Sequence, residues 1–392
     1  MVDYLIFLAI STALFALFAL GLNLQWGFTG LINFGHIAFM TLGAYTTVLL
    51  SLKGVPLLIS AVAGAIVAAL LGLVIGFATL RLREDYLSIV TIGTGELIRL
   101  VVNNQDLPVA KIPLWELFKE MILRLAENID SFLNFLGEIL DLEVKLGISK
   151  LILRFIFNNQ QPVGDTWISG AFGVQSYPIP LSTEPNLFVR FVMIGLLTLL
   201  AAVTFFTLWR WIRTTQISRT TELGKRTTSK QEFISRLGVG IVLAVLAAAI
   251  YISGVIALYN YNPKAGLMLV LLLVLAFVYW RLEILVRSPW GRILKAIRED
   301  EEIPKALGKN VFWYKLQSLM LGGAIAGIAG AFFAWQLSAI YPDNFQPQIT
   351  FDTWIMVIIG GSGNNVGTIL GAIIFFAYDA LTREVLPRIV PL

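Results

Sequence analysis

"SPWGRILKAIREDEEIPKALGKNVFWYK", residues 288–315, is a dense run of mixed charge set between two stretches of nearly pure hydrocarbon. Its residues spell out two helices and a stop. Asp300, Glu301 and Glu302 precede Pro304; proline is well tolerated in the first turn of a helix, where acids also suit the dipole. A short helix over 304–307 would then end at Gly308, a residue suited to the left-handed position after a helix. The expected device is a helix, an acidic break, a second short helix and a glycine stop, together a rigid knob. On composition alone the competing reading is a solvated charged loop, the usual fate of a charge run.

What surrounds the run decides the fold class. The chain has 392 residues, of which 57% are hydrophobic and 14% charged, whereas a soluble domain keeps about a quarter of its residues charged. Apolar runs of the roughly 20 residues that cross a bilayer as helix recur at 4–24, 31–52, 57–80, 86–102, 187–209, 237–258, 267–285 and 314–339, followed by a Gly-interrupted pair at 351–359 and 366–381. The expected fold is all-α, a polytopic transmembrane bundle of about 8–10 spans with lipid as its main solvent. The N-terminus lacks the basic start and small-residue cleavage site of a secretory signal and reads as an uncleaved first span. With no cysteine, thiolate catalysis, disulfides and cysteine metal sites are excluded. A single histidine and no HExxH argue against a membrane metalloenzyme, so no metal and no resident cofactor are expected.

Basic loops orient the bundle. The stretch 210–236 holds seven Lys/Arg against two Glu, and the quoted run is also rich in Lys and Arg. Two spans separate them, so both fall on one side, the cytoplasmic one, together with Arg81 and Arg83. Between them, 108–165 departs from a plain bundle. Leu125, Ile129, Phe132, Leu136 and Ile139 recur at three or four, as in an amphipathic helix. The flanks "NNQDLPV" at 103 and "NNQQPV" at 158 echo each other, as an insertion into a continuous loop would leave them. The expected organisation is a transmembrane part at 1–107, an amphipathic helical insertion on the outer face at 108–165, and a second transmembrane part at 166–392 that contains the loop 286–315. The insertion packs on the membrane or bundle, or it docks an outside partner; the sequence leaves both open.

Polar residues inside spans are costly and face protein or a water-filled path. They concentrate at 21–46: Asn23, Gln25, Thr29, Asn33, His36, Thr41 and Tyr45, interleaved with Gly27, Gly30 and Gly35 that weaken regular helix. Broken helix is tolerated at membrane depth where it lines a cavity or is buried in protein. Asn23, Gln25, Asn33, His36 and Tyr45 are therefore candidates for a substrate pathway, with a helix–helix hydrogen bond as the alternative for His36. Glu96 and Arg99, three apart on one helical face, either neutralise each other or meet the charged ends of a substrate. Gly363, Gly367 and Gly371 recur every four residues, a pattern that lets helix backbones approach in lipid. "GSGNNVGT" at 361–368 has neither the glycine spacing nor the lysine of a phosphate loop.

The order "GR-x-L-x-AIRE-x-E-x(4)-ALG-x-N-V-x-x-YK" at 291–315 resembles the cytoplasmic coupling loop of ABC importer permeases, most closely the branched-chain amino-acid (Liv-type) family. Three further blocks are similar to that family: "GLNLQWGFTGLINFGHIAFMTLGAYT" (21–46), "RLREDYLSIVTIGTGELIRLVVNN" (81–104) and "GGSGNNVGTILGAII" (360–374). The family commonly has Glu-Ala-Ala before the glycine; here Glu302 is followed by Ile303 and Pro304, with Gly308 at the expected spacing. The resemblance implies a permease subunit of the second (M-like) type in a bacterial plasma membrane. It implies ATPase coupling through Arg298, Glu301, Glu302, Pro304, Ala306, Leu307 and Gly308. It also implies as partners a homologous second permease, two ABC ATPase subunits that bind the ATP, and an extracytoplasmic substrate-binding protein. Neutral, branched-chain amino acids are the implied cargo, and urea or a short amide is the alternative within the family. A reading from another class is an ion-coupled secondary transporter, with Glu96 or Asp379 carrying a proton. Neither reading gives the chain bond chemistry of its own or a nucleic-acid partner.

Overall fold

The structure is a computed structural model of the chain and describes residues 2–80, 84–104, 106–108, 167–169, 173–175, 177–182, 184–217 and 230–384. The amphipathic insertion expected at 108–165, except Pro108, and the centre of the basic loop at 210–236 lie outside the described residues. In chain order the helices are α1 Val2–Leu22, continued by a π-helical turn Asn23–Phe28; α2 Ile37–Leu52; α3 Leu57–Thr79; α4 Glu84–Asn104; α5 Leu187–Ile217; α6 Lys230–Tyr259; α7 Pro263–Arg287; α8 Pro289–Glu299; α9 Glu302–Ala306; α10 Val311–Leu337; α11 Gln348–Gly360; and α12 Asn365–Glu384. A 3-10 turn, Pro342–Phe345, follows α10. Eight helices among the described residues are long and apolar enough to cross a membrane, and Ile37–Leu52 is a shorter apolar one. The chain is a polytopic helical bundle. Sheet is confined, among the described residues, to two antiparallel pairs: β1 Asp106–Pro108 with β2 Trp167–Ser169, and β3 Val174–Gln175 with β4 Ala339–Ile340.

The structure corrects the second span. Helix does not start at 31 but at Ile37, and 29–36 runs without regular helix between the π turn and α2. Gly30 sits at φ +83 and Gly35 backs directly onto the Thr91 carbonyl. Glycine is what both positions demand, the first for its backbone angle and the second for lack of room.

The chain divides into two compact units. One comprises 1–10 with 183–273. Here α5 packs on α6, and Gly254 lets Leu197 and Met268 close over the α6 backbone. Arg190 ties the ends of these helices by donating to the Tyr259 carbonyl (3.0 Å) and pairing with Glu184 (3.4 Å). The other unit comprises 11–182 with 274–392, and its centre is the trio α2, α3 and α10. Small residues set that packing. A methyl on Gly43 would strike the Gly327 backbone, and one on Gly327 would lie 2.7 Å from the Ala68 Cβ. Backbones meet where lipid offers no hydrophobic drive for helices to associate, so close van der Waals contact must supply it. The last two helices form a hairpin in which Gly367 lies on Gly360 and Gly371 on the Met356 carbonyl.

Overpacking the central trio is testable. Gly43→Ala should destabilise the purified protein by about 1–3 kcal/mol, read as a lower unfolding temperature in mild detergent. Gly195→Ala on α5, where an added methyl meets nothing within 4 Å, should leave that temperature unchanged or raise it.

Candidate functional site

The run at 288–315 folds as helix, break, short helix and stop. Pro289 opens α8, which buries Gly291, Leu294 and Ile297 and leaves its charged side out. Asp300 is extended and its carboxylate accepts from the Glu302 amide (2.9 Å), which opens the next helix. That helix starts at Glu302, two residues before the start expected from Pro304. Pro304 still falls within the first turn, where a missing N–H has no intrahelical partner to lose. Gly308 follows at φ +72, and its amide donates to the Lys305 carbonyl (2.9 Å). An added methyl there would meet nothing within 4 Å, so the demand for glycine is one of backbone angle and not of space. Asn310 then caps α10 by accepting from the Trp313 amide (3.2 Å).

Two cations lock this knob to the bundle. Lys315, with its side chain 7% exposed, pairs with Glu301, which also faces Lys305 at 3.6 Å. A buried ammonium is held only with a close counter-charge, so Glu301 fixes the break above the first turn of α10. Arg298 turns inward and donates from Nη1 to the Gly27 carbonyl at the π turn. Around it stand three glycines. A methyl on Gly30 would lie 3.5 Å from the Arg298 backbone, and one on Gly363 would lie 2.8 Å from its guanidinium. Outward, Ile303 (56% exposed), Ala306 and Leu307 (74%) form the uncovered face of the short helix, and Glu302 pairs with Lys305 (2.8 Å) beside them.

The glycine socket joins two breaks in the membrane helices. Asn23 accepts from the Gly363 amide (2.9 Å) and donates to Asn365 (3.2 Å). Asn365 in turn donates to Glu283 (3.1 Å), which Arg287 pairs. Gly363, expected as part of a helix-packing stripe with Gly367 and Gly371, lies instead in the turn between α11 and α12 at φ +77.

The polar residues expected along a pathway are turned into protein. Asn23, Gln25, Asn33 and His36 are fully buried. Gln25 donates to the Leu319 carbonyl (3.0 Å) and accepts from Asn33 (2.8 Å). The Asn33 side chain accepts from the Gly35 amide (2.9 Å), and the Asn33 carbonyl accepts from the Trp354 indole (3.2 Å). Thr29 meets Ser318 at 2.7 Å, and His36 meets the Phe18 carbonyl at 3.2 Å through Nε2. The Asn33 side chain, the Trp354 indole and the Thr91 hydroxyl, which accepts from the Phe34 amide (3.2 Å), satisfy backbone groups of 29–36 where helix does not. Tyr45 and Glu96 stand apart from this set. Tyr45 packs on Phe345, while Glu96 is paired by Arg99 (2.6 Å). Asp379 is paired by Arg383 (2.7 Å). Reading the sequence missed Ser318, Glu283, Asn365 and Asp343 as partners, because each is joined to its site across a long sequence separation. The spacing of Glu283 to Arg287 was the one local signal available.

A protein-family model described as the permease component of branched-chain amino acid transport systems matches residues 4–113 and 186–391. The chain belongs to that family. The chain is 25% identical over 381 residues, 96% of its length, to the high-affinity branched-chain amino acid transport system permease protein LivM of Salmonella typhimurium and, over the same extent, to that of Escherichia coli. It spans 63% of the length of each. A probable LivM of Methanocaldococcus jannaschii is 34% identical over 113 residues, 29% of the chain and 33% of that relative. No solved structure matches the chain. Its family and the eight apolar helices among the described residues make it a multi-pass membrane protein.

The lock at Glu301 makes a prediction for stability. Glu301→Gln removes the carboxylate that faces the buried Lys315 and should lower thermal stability. Adding Lys315→Met should restore part of it, with a coupling of about 0.5–3 kcal/mol between the two sites in a double-mutant cycle.

Proposed function

We propose that this chain is one of two membrane subunits of an ATP-driven importer of branched-chain and other neutral amino acids in a bacterial plasma membrane. It works with a homologous second permease, two ATPase subunits that bind the ATP, and an extracytoplasmic binding protein. The observation that carries the reading is the knob. Its short helix offers Ile303, Ala306 and Leu307 outward, an apolar face a partner can cover, while Arg298 and Lys315 hold it from within. Family membership and the likeness to LivM support the cargo.

The proposed cycle uses this division. ATP binding draws the ATPase subunits together and carries the docked short helix with them. Helix α8 moves as a lever, and Arg298 delivers its displacement to Gly27 in the π turn and to the Gly363 turn between α11 and α12. Both are breaks already, so they change angle at lower cost than continuous helix. The secondary-transporter alternative is less well supported, since Glu96 and Asp379 are both held in ion pairs.

Gentle solubilisation of the tagged chain from its native membrane, followed by mass spectrometry, tests the assembly. An ATP-binding subunit and a second permease should co-purify. Recovery of the chain alone in several mild detergents, with its fold intact, would overturn the reading. Within the assembly, Leu307→Asp should strip the ATPase subunit from the complex. Arg298→Ala should keep that subunit bound and hydrolysing ATP while uptake falls by about tenfold or more. Gly308→Asp, which puts a side chain at φ +72, should leave the protein inserted with transport uncoupled from hydrolysis.

A further inference from the structure

At the end of α10 away from the knob, a second charged cluster closes over a buried and unpartnered hydroxyl. Arg99, near the end of α4, holds Glu96 through Nη2 (2.6 Å) and Nε (3.0 Å), and holds Asp343 on the 3-10 turn through Nη1 (2.9 Å). One cation thus serves two carboxylates, which leaves the cluster one negative charge in excess. It opens at the protein surface, since the Asp343 side chain is 81% exposed and that of Glu96 39%. Beneath it, Tyr45 is 3% exposed and its hydroxyl has no partner. The ring lies 5.6 Å from Phe345 of the same turn, and the hydroxyl is within electrostatic reach of Asp343. A buried polar group left without a partner calls for an explanation.

The turn over Tyr45 is anchored by Phe345, which is 1% exposed and packs on Phe333 at 5.5 Å. The β3–β4 pair has two residues on each side, Gln175 donates to the Tyr341 hydroxyl (2.6 Å), and Tyr177 donates to the Ala334 carbonyl. Apart from these, the Arg99–Asp343 pair is the charged contact that joins this turn to α4.

We infer that Arg99, Asp343 and Glu96, with the Tyr45 hydroxyl beneath them, form a latch that is also a binding site for a small zwitterion with a neutral side chain. The inference rests on the importer reading for the class of cargo. An α-amino acid carries the same two charges as the pair that closes the latch. Its carboxylate can take the place of Asp343 on Arg99, and its ammonium can pair with the carboxylate so released. The exchange conserves ion pairs, so it lets the 3-10 turn move away from α4 by the width of the ligand without stranding a charge. It also uncovers Tyr45, whose hydroxyl gains a polar partner and whose ring, with Phe345, faces the apolar side chain.

The chain has no cysteine, so a single introduced thiol reports without background. In the full chain in lipid nanodiscs, Tyr45→Cys should react slowly with a polar thiol reagent and about tenfold faster in saturating leucine, as the minor open state is populated. N-acetyl-leucinamide, which lacks both charges, should not accelerate it. With Asp343→Asn added, labelling should be fast without ligand. Labelling indifferent to leucine, equal acceleration by the neutral analogue, or a silent Asp343→Asn would each overturn the inference. Should Tyr45→Cys disturb folding, hydrogen exchange of amides 339–345 in the unsubstituted chain gives the same readout: faster with leucine if the latch opens, unchanged or slower if it does not. Neither measurement needs ATP or a partner. Failure of the ATPase subunit to co-purify therefore speaks against the importer alone, and an unresponsive latch speaks against the site alone.

Discussion

Lipid offers nothing to a backbone N–H or C=O, and each such group left unsatisfied at membrane depth costs several kcal/mol. A helix meets that condition by itself; this chain gives up helix at 29–36 and at 361–364. The buried polar side chains of the second unit are the consequence. Gln25 and Asn33 hold the first break from inside, Thr29 and Ser318 hold it against α10, and Asn23 reaches across to the amide of Gly363 in the second. Without these groups the two breaks would have to be continuous helix.

The charged residues at the knob divide by direction. Lys315 and Arg298 reach inward to Glu301 and the Gly27 carbonyl, while the outward side of the short helix carries Ile303, Ala306 and Leu307 beside the exposed Glu302–Lys305 pair. In the proposed importer this lets a partner bind by covering hydrocarbon, with no need to compete for a charge already committed to the bundle. The inward contacts are directional, which suits the displacement proposed for the knob.

Local chemistry was the part of the fold most legible in the sequence. Hydrophobic length located the spans, since any helix that crosses lipid must be apolar along its whole run. Proline, acids and glycine at 300–308 described the break and the stop, because those signals act within a few residues. The residues 31–36 were read as part of a span because Leu31, Ile32 and Phe34 are as apolar as their neighbours; hydropathy registers solvent and not backbone angle. The buried polar set was recognised, yet its partners were not, since Asn23 finds Asn365 and Gln25 finds the Leu319 carbonyl only after the bundle closes. Gly363 fell in step with Gly367 and Gly371, and spacing alone does not tell a helix face from the turn that precedes it.

The small β1–β2 pair carries a consequence for how this protein can vary. Pro108 stands opposite Trp167, so the chain leaves for residue 109 and comes back at residue 166 through a single doorway. Closing a longer loop at a fixed pair of ends costs only about 0.6 kcal/mol for each doubling of its length. A lineage is therefore free to lengthen, shorten or exchange what hangs from that doorway while the register of the strands, and the end of α4 beside them, stays where it is.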